Sequence, residues 1–223
     1  MTTADGRTLV DLSHPVEAGM VTYPGLPAPV IKDVLSREAS RERYAPGTEF
    51  LIGEILLCGN TGTYVDSPFH RYPEGTDVAG LELGRLADVP GVMVDATGSR
   101  ERAIGLESFE GLDLSGRAVL VRTDWSRHWR TEAYATGHPY LTGEAAEALA
   151  RAGVALVGID SLNIDSTETG ERPCHTILLG AGIPVCEHLT GLEALPANGF
   201  RFSAVPVPVV GMGTFPVRAY ATW

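Results

Sequence analysis

The sequence lacks an excess of positive charge, a cysteine framework and a long apolar run, and each absence excludes a class of protein. It carries 28 acidic residues against 17 basic ones, a formal net charge of −11, which disfavours nucleic acid or an anionic membrane as a partner. No apolar run approaches the roughly twenty residues of a membrane-spanning helix, and the N-terminus has no apolar segment typical of a signal peptide. The three cysteines are odd in number and form no CxxC pair. We therefore expect a cytoplasmic protein that acts on a small molecule, with no nucleic-acid and no membrane partner.

The strand and helix patterns favour a single α/β domain over residues 1–223. Hydrophobic residues make up 44% of the chain and charged residues 20%, as in globular proteins. Ala118–Thr123 has the pattern of a buried strand, Thr142 is an N-cap for a helix that Gly153 ends, and Val154–Asp160 is a second apolar strand. This succession predicts a βαβ unit with parallel strands.

Four further segments predict strands outside that unit. Thr8–Leu12 reads as an edge strand, and Phe50–Cys58 as a buried strand that leads into a polar motif. Phe202–Val210 and Phe215–Tyr220 read as a terminal hairpin.

The polar motif is GNTGTYVDSPFH, residues Gly59–His70. Read as extended chain, its even-numbered residues share one face, and these include Asn60, Tyr64, Asp66 and His70. The alternative is a strand and turn whose polar side faces water.

Two later residues have the chemistry to complete a metal site with Asp66. His175 opens a helix after Pro173, and Glu187 follows a short strand. One imidazole and two carboxylates suit zinc, manganese or iron(II). For the other histidines a structural role in a surface or capping context is favoured: His14, His128, His138 and His188.

Two tryptophans follow the strand at 118–123. Trp125 and Trp129 lie beyond its carboxyl end, where ligands of open α/β sheets tend to bind. They are candidates for a substrate-binding wall, and packing in a partly buried position is the alternative.

Four stretches resemble one known family. They are DLSHPVEAGMVTYPG at 11–25, GTYVDSPFH at 62–70, VGIDSLNID at 157–165 and HTILLGAGIPVCEHLTGLEAL at 175–195. Together they are similar to the cyclase family of metal-dependent hydrolases, the kynurenine formamidase-like proteins. The resemblance implies an α/β fold with a mixed sheet and flanking helices, and a homodimer or homotetramer.

The family motif, HxGTHxDxPxH, implies roles for the matching residues. Asp66 stands at its metal-binding aspartate and His70 at its catalytic acid/base, while His175 and Glu187 match the later metal ligands. Two metal-binding histidines of the motif are replaced. These positions hold Asn60 and Tyr64.

The replacements leave two kinds of enzyme open. The first is a hydrolase of an amide or lactone in a small cyclic or aromatic substrate, with one zinc or manganese ion on Asp66, His175 and Glu187, and His70 as acid/base. The second is a metal-independent cyclase, dehydratase or isomerase of secondary metabolism, in which Tyr64, Asp66, His70 and Glu187 transfer protons. In that case Asn60 would orient a substrate oxygen. A non-catalytic binding protein with the same fold is the third hypothesis.

Overall fold

Short strands make up most of the regular structure in the computed structural model, which describes residues 2–4, 6–99 and 101–223. In chain order the strands are β1 (Thr2–Ala4), β2 (Arg7–Asp11), β3 (Val30–Leu35), β4 (Ile52–Leu56), β5 (Tyr64–Asp66), β6 (Val89–Asp95), β7 (Ala103–Ile104), β8 (Ala118–Arg122), β9 (Tyr140–Leu141), β10 (Leu156–Ile159), β11 (Val185–Glu187), β12 (Asn198–Ser203), β13 (Thr214–Pro216) and β14 (Tyr220–Thr222). The α-helices are α1 (Arg37–Ser40), α2 (Gly143–Ala152) and α3 (Pro173–Gly180). Within the described ranges, no helix has the length and apolar character needed to span a membrane.

One mixed sheet organises the molecule. Its ten strands run in the order β1-β2-β14-β12-β6-β8-β10-β11-β5-β13. The four central strands, β6, β8, β10 and β11, are parallel to their neighbours within that group. Antiparallel strands continue the sheet on both sides, from β12 on one and from β5 on the other. The single-domain α/β fold with a mixed sheet is thereby confirmed.

The predicted βαβ unit is present. β8 pairs in parallel with β10, and α2 lies between them in the chain. The Thr142 hydroxyl accepts the backbone N–H of Ala145, and Gly153 ends the helix in the left-handed conformation at φ 67°. The sequence therefore places this unit correctly because its caps are local signals.

Alternation along the central strands creates two cores. Val119 and Val121 of β8 face α2 and α3, where they pack with Leu149 and Leu178. Leu120 points to the opposite face, whose core is formed by strand side chains and by the segment after β11. The functional residues described below lie where β5, β11 and α3 meet.

The strand predicted at Phe50–Cys58 was expected to be buried, and that expectation is wrong. Only Ile52–Leu56 of this segment forms a strand, β4, which pairs with β3 in a separate two-stranded sheet and is exposed along its whole length. Apolar composition indicates burial only if a partner surface lies above the strand, and the described chain supplies none here.

The predictions of a terminal hairpin and of an edge strand at Thr8–Leu12 are also wrong. β14 lies between β2 and β12, and β13 pairs with β5 at the other end of the sheet. β1 covers the outer side of β2, so that β2 is not the edge. These pairings join segments that are distant in sequence, and local patterns carry no signal for them.

Candidate metal centre and active site

Sheet register brings the motif residues together with Glu187 and Thr214. Tyr64 lies opposite Glu187 of β11, and Asp66 lies opposite Thr214 of β13. Side chains alternate along a strand, so Tyr64 and Asp66 share one face of β5. All four of these residues are buried.

His175 joins this group from the first turn of α3. Asp165 accepts the backbone N–H groups of Cys174 and His175 at 2.7 and 3.0 Å, which gives the helix start an acceptor. The same carboxylate also binds the side chain of His175, whose ring atom Nδ1 lies 2.7 Å from Asp165 Oδ2. Nδ1–H therefore donates to Asp165, and Nε2 on the other side of the ring faces Asp66 and Glu187.

Three potential ligand atoms converge on one point. His175 Nε2 lies 3.6 Å from Asp66 Oδ2 and 3.6 Å from Glu187 Oε1. These separations exceed a hydrogen bond. They approach the ligand–ligand edge of roughly 3.3–3.6 Å in a tetrahedral site with bonds of about 2.0–2.2 Å. Asp66 Oδ2 is buried and has no hydrogen-bond partner among the residues that the structure describes. The predicted set Asp66, His175 and Glu187 is thus assembled and could hold a divalent ion.

The charges at this point favour a cation. Burial raises the pKa of Glu187 to about 7, and the nearby Asp66 carboxylate adds to that effect. Burial would lower the pKa of His175, but the hydrogen bond to Asp165 and the charges of Glu187 and Asp66 raise it to about 10. Two buried carboxylates so close together repel each other unless a proton or a metal ion lies between them.

Tyr64 donates a hydrogen bond to the metal-binding candidate Glu187. Its hydroxyl lies 2.6 Å from Glu187 Oε2. Burial and the charges of Glu187 and Asp66 raise the pKa of Tyr64 well above its ordinary value, so the phenol keeps its proton. Glu187 Oε1 accepts the backbone N–H of Ile164 at 2.7 Å and still faces His175.

A buried chain of hydrogen bonds continues from Tyr64. His188 Nε2 lies 3.2 Å from the Tyr64 hydroxyl, and His188 Nδ1 lies 2.8 Å from the Tyr134 hydroxyl. Because the Tyr64 proton points to Glu187, His188 donates from Nε2 and accepts from Tyr134 at Nδ1. Burial lowers the pKa of His188 to about 3, which keeps the ring neutral. The expectation of a surface or capping context for His188 is wrong, since the residue is fully buried.

His70 is held by Thr214, which also contacts Asp66. The Thr214 hydroxyl lies 2.5 Å from Asp66 Oδ1 and 3.0 Å from His70 Nδ1. A hydroxyl has one proton, and the carboxylate takes it at the shorter distance. Thr214 therefore accepts from His70 Nδ1–H, and the unprotonated ring atom is Nε2. The His70 side chain is 38% exposed.

A cavity of about 810 Å³ opens over this cluster. Five of the predicted site residues line it, namely Asn60, Tyr64, His70, His175 and Glu187. Its other lining residues are Tyr23, Leu26, Arg71, Asn163, Gly170, Glu171, Arg172, Pro173, Thr176 and Ile177. The cavity thus joins a polar floor to an apolar wall.

The two tryptophans lie elsewhere and are not part of the cavity lining. Trp129 stacks on the His14 ring at 4.0 Å, with an interplanar angle of 6°. Trp125 Nε1 donates to the backbone oxygen of Tyr134 at 3.0 Å. These contacts match the packing alternative for both residues.

Sequence reasoning missed Asp165, Thr214, His188 and Tyr134 as members of this site. Asp165 lies ten residues before His175, in the stretch VGIDSLNID that carries part of the family resemblance. Thr214 and Tyr134 reach the site through long-range packing, and nothing in their local sequence indicates it.

Comparison with known proteins identifies the family of the chain. A family model described as "Putative cyclase" matches residues 10–166, more than half of the chain. The kynurenine formamidase of Bacillus cereus is 27% identical over 211 residues, covering 94% of this chain and 95% of the relative. That of Geobacillus thermodenitrificans is 28% identical over 212 residues, with coverage of 94% and 95%.

Solved structures share the fold. A potential metal-dependent hydrolase with cyclase activity superposes with a TM-score of 0.79 at 25% identity, covering 97% of this chain and 98% of that one. Isatin hydrolase A from Labrenzia aggregata, bound to benzyl benzoate, gives 0.81 at 22% identity, with coverage of 97% and 93%.

The fold, the buried cluster of two carboxylates and one imidazole, and the formamidase relatives thus define an enzyme of hydrolase type. The chain belongs to the cyclase family.

The contact between Asp165 and His175 yields a test of the metal centre. In Asp165→Asn the acceptor of the His175 Nδ1 proton is weakened, so we expect zinc affinity to fall about 10- to 100-fold. Competition with a chromogenic chelator measures it. Asp113→Asn is the control, because it removes the same charge from an exposed ion pair with Arg117. Equal zinc affinities of the folded parent and Asp165→Asn would contradict the assignment.

Proposed function

We propose that the protein hydrolyses an amide or lactone of a small cyclic or aromatic substrate with one divalent ion, zinc or manganese. The supporting observation is that Asp66 Oδ2, His175 Nε2 and Glu187 Oε1 converge beside His70 on one cavity. The names of the relatives, formamidase and isatin hydrolase, support cleavage of a C–N acyl bond, as in an arylformamidase. Cleavage of the C–O acyl bond of a lactone is the related reaction of lactonase type.

Each residue then has a defined task. Asp66, His175 and Glu187 hold the ion, whose chemistry when bound is to polarise a carbonyl and to lower the pKa of water. The Nε2 atom of His70 accepts a proton from the attacking water and returns it to the leaving nitrogen or oxygen as the C–N or C–O bond breaks. Asn60 lines the cavity and presents an amide that can orient a substrate oxygen.

The second candidate is a metal-independent cyclase, dehydratase or isomerase. Its support is the short hydrogen bond between the Tyr64 phenol and Glu187, at 2.6 Å, next to Asp66 and His70. In that enzyme Tyr64 gives a proton to the substrate and Glu187 or His70 accepts one. The small-molecule substrate and the self-association described below are common to both candidates.

Metal content and the role of His70 distinguish the candidates. We expect about one equivalent of zinc or manganese per chain and hydrolysis of an aryl formamide or an aryl lactone that chelation abolishes. His70→Gln should lower kcat about 10²- to 10⁴-fold while the metal is retained. His128→Gln, at a half-buried histidine that is not part of the cavity lining, serves as the control. Turnover that survives complete chelation would overturn the metal-dependent proposal.

Thr214 offers a finer test of how His70 works. In Thr214→Val the acceptor for Nδ1–H is lost, so the ring should populate both tautomers and kcat should fall about tenfold. The ¹⁵N shifts of histidine-labelled protein report the tautomer directly. Thr214→Ser retains the hydroxyl and should restore both the shifts and the rate. A Thr214→Val protein with unchanged His70 shifts would remove this role from Thr214.

We also propose that the chain forms a homodimer or homotetramer through the ribbon of β3 and β4. We call β3, β4 and the two residues before β4 the apolar ribbon. Eight of its apolar side chains are 44–68% exposed: Val30, Ile31, Val34, Phe50, Leu51, Ile52, Ile55 and Leu56. They present on the order of 800 Å², the share of one partner in a standard interface. An isolated two-stranded ribbon is marginally stable in water, so a second copy that covers it also stabilises it.

Sedimentation velocity tests the apolar ribbon as the interface. Leu56→Lys places a charge where Leu56 is 68% exposed, and we expect it to convert the oligomer to monomer. Leu112→Lys, at an exposed leucine outside the ribbon, should leave the oligomer intact. A monomeric parent, or an oligomer that is unaffected by Leu56→Lys, would reject the proposal.

A further inference from the structure

The cavity over the metal centre has a cationic rim in a strongly acidic protein. Two arginines, Arg71 and Arg172, are among its lining residues. The chain as a whole has a net charge of −11, so its average field repels anions. A pair of positive groups at one mouth creates a local exception that the proposed hydrolysis does not itself require.

Arg71 has a guanidinium group that is available to a ligand. It follows His70 directly in the chain and is exposed. The guanidinium carbon lies 5.3 Å from the centre of the Tyr72 ring, and Nε lies 3.4 Å from Thr176 Oγ1. Its two terminal nitrogens have no hydrogen-bond partner among the described residues, and Arg71 forms no ion pair with any described acidic residue. The group is therefore oriented on one side and open on the other.

The Tyr72 ring that supports Arg71 is itself anchored. Its hydroxyl donates to the backbone oxygen of Thr176 at 2.8 Å, on α3. The same helix carries His175, which lines the cavity. Arg71 is thus positioned relative to the metal centre by packing on the element that supplies a metal-binding side chain.

Arg172 supplies a fixed positive charge at the start of α3. Its Nη1 donates to the backbone oxygens of Ser166, Thr169 and Glu171 at 3.0, 2.8 and 2.6 Å. These bonds occupy one nitrogen and hold the group in place, while its charge remains uncompensated by any described acidic side chain within ion-pair distance. Glu171 also lines the mouth, but its carboxylate forms no ion pair with either arginine.

Apolar side chains lie beside this rim. Tyr23, Leu26, Pro173 and Ile177 line the cavity together with the arginines. A ligand that fits all three parts has a hydrolysable carbonyl over the polar floor, an apolar ring against the wall and an anionic group at the rim.

We propose that the substrate is an anionic ring compound, and that Arg71 binds its carboxylate while Arg172 adds to the positive potential. The assignment of this site to a substrate rests on the proposed hydrolase function. A guanidinium group pairs with a carboxylate through two parallel N–H bonds, which the two terminal nitrogens of Arg71 can supply. The carboxylate is distinct from the acyl bond that is cleaved, so the contact selects the substrate and orients it.

Binding of a simple matched pair tests the anion site without any turnover. Benzoate and benzamide have the same ring and nearly the same shape, but differ in charge. We expect the parent to bind benzoate about tenfold more tightly than benzamide, and Arg71→Met to abolish that preference. Calorimetry in low and high salt measures it, and the preference should weaken as salt rises.

Two controls separate Arg71 from other sources of the preference. Arg7→Met removes an exposed arginine from β2, near the opposite end of the sheet, and should bind benzoate like the parent. Chelator-treated parent should keep the preference for benzoate, because Arg71 does not depend on the metal ion. If the carboxylate bound the metal ion directly, chelation would remove the preference. Equal binding of benzoate and benzamide, no binding of benzoate, or a preference that survives Arg71→Met would each overturn the proposal.

Hydrolysis of a second matched pair connects the anion site to catalysis. N-formylanthranilate carries a carboxylate that formanilide lacks, and we expect its kcat/KM to be higher by about tenfold in the parent and equal in Arg71→Met. Equal cleavage of both amides by the parent and by Arg71→Met would reject the anionic substrate and leave the hydrolase standing. Selective benzoate binding through Arg71 without cleavage of either amide would reject hydrolysis of aryl formamides and leave the anion site standing.

Discussion

Two carboxylates, Asp66 and Glu187, are buried within 3.6 Å of the same imidazole nitrogen, and the surrounding structure is arranged to hold this charge. Leaving an uncompensated charge in a protein interior costs several kcal/mol. Each carboxylate is therefore stabilised by a donor on its outer oxygen, from Thr214 to Asp66 and from Tyr64 to Glu187. The inner oxygens face His175, and a divalent ion placed among them neutralises both acids at once.

Helix α3 reaches this point because Asp165 receives its first N–H groups. The same carboxylate takes the Nδ1 proton of His175, so one side chain sets both where the helix starts and which ring nitrogen faces the acids. Asp165 thus couples the hydrogen bonding of the backbone at the helix start to the orientation of the His175 ring. A change at Asp165 would disturb the local fold and the metal centre together, which is why metal affinity and folding need separate measurement.

The parts of this arrangement that the sequence predicts are those with local signals. The period of two in an extended chain places Tyr64 and Asp66 on one face of β5, and caps at Thr142 and Gly153 define α2. Asn60 lies before that strand and His70 in a 3-10 turn after it, so both reach the cavity from non-extended backbone. Family resemblance adds His175 and Glu187, which no spacing alone would select. The rest depends on long-range packing: β14 inserts between β2 and β12, Thr214 reaches Asp66 across a strand pair, and Trp125 and Trp129 pack against other residues instead of lining the cavity. The exposed β4 was taken for a buried strand because composition does not reveal whether a covering surface exists.

The hydrogen bonds of Tyr64 determine which role this residue can take in the site. Its single proton is directed to Glu187, and His188 donates to its oxygen from the other side. To act as an acid, Tyr64 would have to release that proton to a substrate, and the negative charges of Glu187 and Asp66 oppose the phenolate that remains. To position Glu187, it needs no change of state at all. The same two carboxylates that raise the pKa of Tyr64 are those that a metal ion would bind. The environment of the phenol therefore favours a supporting role beside a single metal ion over direct proton transfer to a substrate.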